Sequence, residues 1–286
     1  MRKYLFITAL MLFSSFAIAQ ETVDTNKDSD KKMKQILPEE GDFAIGIDAT
    51  PFFNYIGTMF RITEDMENTP SFNFINGAIF SGKYMLTDTK AIRASIRIGL
   101  NNKTDKNMVF EDAGDIGDYV EDSRKLSSTD ILLSAGLEFR RGKGRLQGYY
   151  GFDATIGMSS ADISYTYGNA YSADFPYPLH TIVWEPYIET GHSSERILNE
   201  TRGTDILIGA QAFIGVEYFF AKKMSLGGEF SWGPAYLMRG NSSKEYESFD
   251  ESTEVISTHT IETARGNQFS MDSRNANGKI SLMFYF

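Results

Sequence analysis

The sequence predicts an all-β fold, an eight-stranded antiparallel transmembrane β-barrel with long extracellular loops. Three observations lead to this prediction. Apolar residues alternate with polar or small residues in eight segments of the chain, which is the period of a strand with two different faces. Short and long connections between these segments alternate strictly, and the chain begins with a segment typical of exported proteins.

The beginning of the chain has the features of a cleavable export signal. Arg2 and Lys3 precede an apolar run over 4–16, and Ala17-Ile18-Ala19 supplies a small-x-small cleavage site. The apolar run is short for a membrane-spanning helix. We therefore predict a signal peptide over 1–19 that is removed during export.

The composition agrees with an exported β protein. Residues 20–41 are almost wholly polar or charged, which predicts a flexible periplasmic leader, and the barrel is then expected over 42–286. The chain has no cysteine, so disulfides, thiol chemistry and cysteine-bound metals are excluded. Its net charge of −10 argues against nucleic acid as a partner.

Each predicted strand carries apolar residues on one face and polar or small residues on the other. The pattern is clear at Ile92, Ile96 and Ile98, which alternate with Arg93 and Arg97. Such segments match the roughly 9 to 11 residues that a tilted transmembrane strand needs. The eight predicted strands cover 43–53, 72–86, 92–100, 131–140, 146–158, 206–220, 226–238 and 276–286.

The connections support a membrane barrel through their asymmetry. Tight turns are predicted after Leu86, Arg140 and Phe220. Outer-membrane barrels combine short periplasmic turns with long extracellular loops, and a soluble barrel or sandwich with its apolar face inward is the alternative. The predicted long loops are 54–71, 101–130, 159–205 and 239–275.

The polar face of the strands carries charges of both signs. Inside a narrow eight-stranded barrel, side chains fill the interior, so we expect these groups to pair with one another. An open diffusion channel is then disfavoured. The predicted interior charge network consists of Lys83, Arg93, Arg97, Glu138, Arg140, Asp153, Glu217, Glu229 and Lys279.

The last residues, Ile280, Leu282, Phe284 and Phe286, alternate up to the terminal carboxylate. This pattern resembles the C-terminal strand signal of bacterial outer-membrane barrels. The resemblance implies an outer-membrane location and assembly by the barrel insertion machinery. In addition, DATPFFNYIGTMF over 48–60 is similar to a segment of small Bacteroidota outer-membrane barrels; it could cap the barrel mouth or dock a partner.

Catalytic and metal-binding groups are sparse. His192, Ser194 and Glu195 are the residue types of an acyl-transfer site, as in small barrel lipid hydrolases, but a solvated polar loop explains them better. His180 and His259 are expected on the surface, and no histidine pair has metal-ligand spacing. The acids of 111–122 lack the order of a calcium loop.

The predicted loop over 159–205 is unusually aromatic. Aromatic side chains on loops of a rigid scaffold are common in binding surfaces, although these could instead pack on one another above the membrane. The candidate binding residues are Tyr165, Tyr167, Tyr171, Phe175, Trp184 and Tyr187.

The sequence favours a non-enzymatic barrel that acts as a structural, binding or complex-forming component of the outer membrane. Its expected partners are outer-membrane lipid, the assembly machinery and a protein or surface ligand at the loops, with no cofactor and no metal. A lipid hydrolase or acyltransferase is the first alternative. A narrow channel for small solutes is the second, since eight strands leave little room.

Overall fold

The structure is a computed structural model that describes residues 36–48, 79–142, 144–272 and 278–286. Within these ranges, no helix is long and apolar enough to cross a membrane. The strands are β1 (Phe43–Asp48), β2 (Ile79–Thr87), β3 (Lys90–Phe110), β4 (Tyr119–Arg141), β5 (Leu146–Thr166), β6 (Leu179–Val183), β7 (Glu189–His192), β8 (Glu195–Thr201), β9 (Asp205–Ala221), β10 (Met224–Met238), β11 (Ser242–Asp250), β12 (Val255–Thr263), β13 (Gln268–Asp272) and β14 (Gly278–Tyr285).

Eight of these strands close into an antiparallel barrel, as the sequence predicts. The ring runs β1-β2-β3-β4-β5-β9-β10-β14 and returns to β1. At the seam, Ile45 of β1 lies opposite Phe284 of β14, and Ile47 lies opposite Leu282. Closure pairs the backbone groups that an open sheet edge would leave without hydrogen bonds.

Three tight turns lie on the same side of the barrel as β1's beginning and β14's end. Thr87 pairs with Lys90 across the first turn, and Arg141 pairs with Gly148 beside the second. In the third, Ala221 pairs with Met224, and Lys223 takes a positive φ of 56°. The predicted short turns are confirmed.

The outer surface of the barrel is a continuous apolar belt. Large apolar side chains there are exposed on one strand after another, where water would make their exposure unfavourable. A closed barrel with an outward apolar band is the form in which strands cross a lipid bilayer. Representative belt residues, one from each of seven strands, are Ile45, Phe80, Ile96, Leu133, Phe152, Ile214 and Phe230.

Three of the four connections predicted as long loops lie wholly or almost wholly in the described ranges; they are long, as predicted, but they contain much β-structure. β3 and β4 stay paired without a break from Lys90 opposite Phe139 to Phe110 opposite Tyr119. The predicted loop 159–205 contains β6, β7 and β8, and 239–275 contains β11, β12 and β13. Outside the membrane a strand needs no apolar face, so period-two patterning is lost although the backbone pairing continues.

Some predicted features lie outside the described residues. These are the export signal, most of the 20–41 leader, the 54–71 loop and most of the 48–60 segment.

The end of the leader lies against the periplasmic mouth of the barrel. Ile36 and Leu37 pack on a buried cluster beneath them. The Ile36 carbonyl accepts a hydrogen bond from the Lys223 amide at 3.1 Å, and Gly41 donates to the Met85 carbonyl at 2.9 Å. Residues 36–41 are therefore attached to the barrel. The cluster consists of Ala44, Met85, Ala91, Phe219, Met283 and Tyr285.

Candidate functional site

The centre of the lumen holds the first half of a charge cluster around Arg93. Strand alternation points Arg93, Asp153 and Glu229 inward from β3, β5 and β10. The Arg93 guanidinium binds Asp153 Oδ2 at 2.5 Å and Glu229 Oε2 at 2.6 Å, and further bonds make both contacts bidentate. Arg93 also lies 3.4 Å from the ring centroid of Phe213. This geometry fixes three strands to one another across the lumen.

The second half of the cluster lies one layer nearer the periplasmic mouth. Lys83 Nζ is 2.9 Å from Glu138 Oε2, and Arg140 contacts Glu138 Oε1 at 2.9 Å and Glu217 Oε2 at 2.5 Å. Glu217 also accepts hydrogen bonds from the Tyr285 and Ser225 hydroxyls. Glu138 and Glu217 are at most 1 % exposed. Buried charges of this kind persist only when paired and hydrogen-bonded.

Two members of the predicted network behave differently from the rest. Lys279 Nζ donates to the Ser81 hydroxyl at 2.9 Å and lies inside the lumen near Glu229. Arg97 is exposed, and it makes no ion pair with any residue in the described ranges. The structure thus brings eight of the nine predicted residues together in one region, whereas Arg97 lies further from the tight turns.

The lumen is filled at the level of these charges. Tyr149, Phe213 and Phe219 are almost fully buried around the cluster. A void of about 30 Å³ remains beside Lys83, Arg93 and Lys279, enough for about one or two water molecules. The described residues therefore close the barrel with a layer of charged side chains at the centre of the lumen and the apolar cluster at the mouth on the side of the tight turns.

The extracellular strands form a second packed region centred on Arg196 of β8. Its guanidinium carbon lies 4.6 Å from the ring centroids of both Tyr167 and Tyr171. Its Nε donates to Glu247 Oε1 at 2.5 Å, and its Nη1 donates to the Asn169 carbonyl at 2.7 Å. One buried side chain of β8 therefore holds the segment after β5 and strand β11 together.

Asp122 of β4 attaches the β6–β7 hairpin to the barrel extension. Its fully buried carboxylate accepts hydrogen bonds from the Gly168 amide at 2.9 Å and from the amide and hydroxyl of Thr181 at 2.7 and 2.9 Å. Asp112 similarly accepts from the Leu179 amide at 2.9 Å. The acids of 111–122 therefore serve in part as acceptors for backbone amides.

A second contact between β3–β4 and the β6–β7 hairpin is ionic. Arg124 donates to Asp105 Oδ2 at 2.7 Å, which holds the pKa of that carboxyl below its usual range. Lys103 donates to Glu185 Oε1 at 2.5 Å, and this hydrogen bond raises the pKa of Lys103 and lowers that of Glu185. Both carboxylates are thus ionised and paired at neutral pH.

The candidate binding aromatics mostly face the interior of the extracellular region. Tyr171 and Trp184 are buried, and burial raises the pKa of Tyr171 to about 12. Tyr165 and Tyr167 stack with ring centroids 6.3 Å apart and are half-buried, as is Phe175. Only Tyr187 of the six is exposed. Five of them therefore pack the extracellular region, the second of the two interpretations that the sequence left open.

We expect Arg196→Lys to loosen the extracellular region while leaving the barrel intact. A lysine keeps the charge but loses the planar stacking on Tyr167 and Tyr171, at a cost of about 1–2 kcal/mol of local stability. Limited proteolysis of detergent-solubilised protein should give faster cleavage within 167–201 and an unchanged barrel core. Arg239→Lys, at an exposed contact with Gln268, is the control and should be cleaved at the wild-type rate.

The acyl-transfer candidates are not brought together as a catalytic site. His192 Nδ1 lies 2.8 Å from the Tyr177 carbonyl. Glu195 contacts His259 Nε2 at 3.0 Å instead of His192. Ser194 is exposed and forms no hydrogen bond with either residue. This arrangement provides no general base beside a hydroxyl nucleophile.

The remaining histidine and the acidic residues do not form a metal site in the described ranges. His180 is buried against Tyr167, with ring centroids 5.2 Å apart, and burial lowers its pKa. The prediction that it lies on the surface was wrong. No group of three His, Asp or Glu side chains in the described part of the chain is arranged to hold a metal ion.

The predicted assembly residues occupy the seam strand. Leu282 and Phe284 lie opposite Leu226 and Met224 on one side and Ile47 and Ile45 on the other. Phe286 follows the strand, is 69 % exposed and exchanges backbone hydrogen bonds with Phe43 at 2.8 and 3.3 Å. Ile280 pairs with Gly228.

Arg196, Asp122 and Asp205 were not identified from the sequence as structural centres. Asp205, at the beginning of β9, is bound by Arg265 at 2.7 and 3.0 Å. All three lie outside the periodic segments, and apart from Arg202, which contacts Asp205 at 3.3 Å, their partners are distant in sequence. The sequence offered no local signal for such pairs.

Comparison with known proteins finds structural likeness but no sequence match. No family model matches the chain, and no curated protein matches it. Among solved structures, the outer membrane protein OprG from Pseudomonas aeruginosa aligns over 88% of this chain and 98% of its own, with a TM-score of 0.33 and 10% identity.

Proposed function

We propose that this protein is a non-conducting outer-membrane barrel that displays a folded extracellular β-region and acts as a structural or complex-forming component. The observation that carries the proposal is the filled lumen, where buried ion pairs lie above an apolar mouth cluster. A barrel filled in this way is a scaffold, so its distinctive surface is the extracellular region.

The location in the outer membrane follows from several features together. The apolar belt suits lipid, and the alternating C-terminal residues suit recognition by the barrel assembly machinery. The segment over 1–19 suits export. The similarity of 48–60 to Bacteroidota barrels supports a source in that group.

Conductance measurement tests the filled lumen. We expect purified protein reconstituted in planar bilayers at neutral pH to give no ion-conducting steps, because the layer of buried charges leaves a void of only about 30 Å³ beside Lys83, Arg93 and Lys279, which is no continuous path. The protein must first show heat-modifiable mobility, which demonstrates that it is folded. Regular conducting steps from folded protein would instead establish a narrow channel and contradict the proposal.

A further inference from the structure

The outermost extracellular strand, β12, has a free edge. It pairs with β11 along its whole length, from Ser242 opposite Thr263 to Asp250 opposite Val255. β11 pairs with β8, and β8 pairs with the upper end of β5. Within the described ranges no strand pairs with the other side of β12. Among the described strands, the barrel sheet therefore continues outward and ends in a nine-residue strand whose outer edge pairs with no other strand.

The side chains of β12 leave this edge accessible. All nine residues are exposed, and Val255, Ile256 and Ile261 are each about half exposed, at 54%, 49% and 51%. Proteins usually protect such edges with lysine, proline or a bulge. β12 has neither residue, and its register with β11 contains no shift. The strand has the β-branched composition that favours pairing.

The charge around the edge selects the kind of partner. The β11–β12 ribbon over 242–263 carries six carboxylates and one lysine. Lys244 is paired with Glu200, whereas Glu254 and Glu262 make no ion pair in the described ranges. A second copy would place two acidic ribbons edge to edge, which costs free energy by like-charge repulsion.

We propose that β12 binds an extended segment of another protein carrying lysine or arginine side chains, which adds to the sheet as a further strand. Main-chain hydrogen bonds to the free edge would provide affinity, and the surrounding carboxylates would select basic side chains. The inference rests on the proposed function in its complex-forming form.

Synthetic peptides test the proposal with the full-length protein in detergent micelles. The probe is a fluorescein-labelled nine-residue peptide that alternates threonine and lysine. One control peptide replaces its central residue with proline, and another replaces lysine with glutamate. We expect the fluorescence anisotropy of the lysine peptide to rise and saturate as protein is added. The proline peptide should bind at least about tenfold more weakly, because proline removes a hydrogen-bond donor and disrupts the added strand. The glutamate peptide should not bind.

Variants locate the binding to the edge. Ser257→Pro and Thr258→Pro test both backbone orientations, since adjacent amides of a strand face opposite sides. One of the two substitutions removes a backbone hydrogen bond to β11. The second removes an amide only from the free edge, so the β11–β12 ribbon should stay protected from protease. We expect this second variant to lose the lysine peptide. Glu111→Gln with Asp115→Asn removes two charges from the β3–β4 tip and should bind within about twofold of wild type, since charges outside the edge contribute little.

The outcomes separate this proposal from the proposed function. Equal binding of the proline peptide, or unchanged binding after both proline substitutions, would overturn the edge site. A dimer by light scattering that the free-edge proline variant converts to monomer would identify a second copy as the occupant and also overturn it. If the barrel gives no conducting steps and the lysine peptide does not bind, only the edge site is contradicted. If the barrel conducts, the proposed function is contradicted, and the peptide measurement still decides about the edge site.

Discussion

Arg140→Met should lower the free energy of unfolding by about 3–5 kcal/mol, the usual cost of removing one member of a buried ion pair. Arg140 is 3 % exposed and contacts both Glu138 and Glu217. Methionine keeps an unbranched apolar side chain but supplies no charge or donor. Urea unfolding of protein folded into lipid vesicles, followed by fluorescence of Trp184 and Trp232, measures the change.

Arg97→Met is the matched control. It makes the same substitution on β3, the strand next to β4, at an exposed residue that makes no ion pair in the described ranges. The free energy of unfolding should fall by less than about 1 kcal/mol. Adding Glu217→Gln to Arg140→Met should recover part of the loss, because one of the two buried carboxylates that lose Arg140 is then neutral. Equal losses for the two methionine variants would show that the cluster does not stabilise the barrel.

The barrel could be predicted from the sequence because lipid imposes a rule on each position of a transmembrane strand. Ile92, Ile96 and Ile98 face the apolar belt, and Arg93 between them faces the lumen. The two-residue period therefore predicts where the strands lie, which face of each strand meets lipid and which charged residues face the lumen. The particular pairs, such as Arg93 with Glu229, depend on which strands are neighbours across the lumen, and alternation carries no information about that.

The extracellular region could not be predicted in the same way. Beyond Leu100, most β3 side chains are exposed to water, so no apolar period marks the strand even though its pairing with β4 continues. Asp122 was noticed only as one acid among several. Its role depends on Gly168 and Thr181, which reach it through folding of a distant segment.

Phe286→Arg should reduce the amount of barrel inserted in cells while leaving folding of the purified chain nearly unchanged. Phe286 lies beyond β14, and its backbone bonds to Phe43 do not require the aromatic ring. A loss of stability in vitro should stay below about 1 kcal/mol, the cost of a charge near the membrane interface. Its role in the cell would then be recognition by the assembly machinery.

Phe284→Arg and Ser281→Asp complete the test of the seam. Phe284 lies between Ile45 and Met224, so an arginine side chain at this position of the ladder should lower both insertion and stability. Ser281 lines the lumen near Lys279, where a carboxylate can pair with a cation, and Ser281→Asp should insert normally. Membrane yield and heat-modifiable mobility measure insertion, and urea unfolding in vesicles measures stability. Normal yield for Phe286→Arg would contradict the assembly signal, whereas equal loss for all three variants would show that β14 tolerates no added charge on either face.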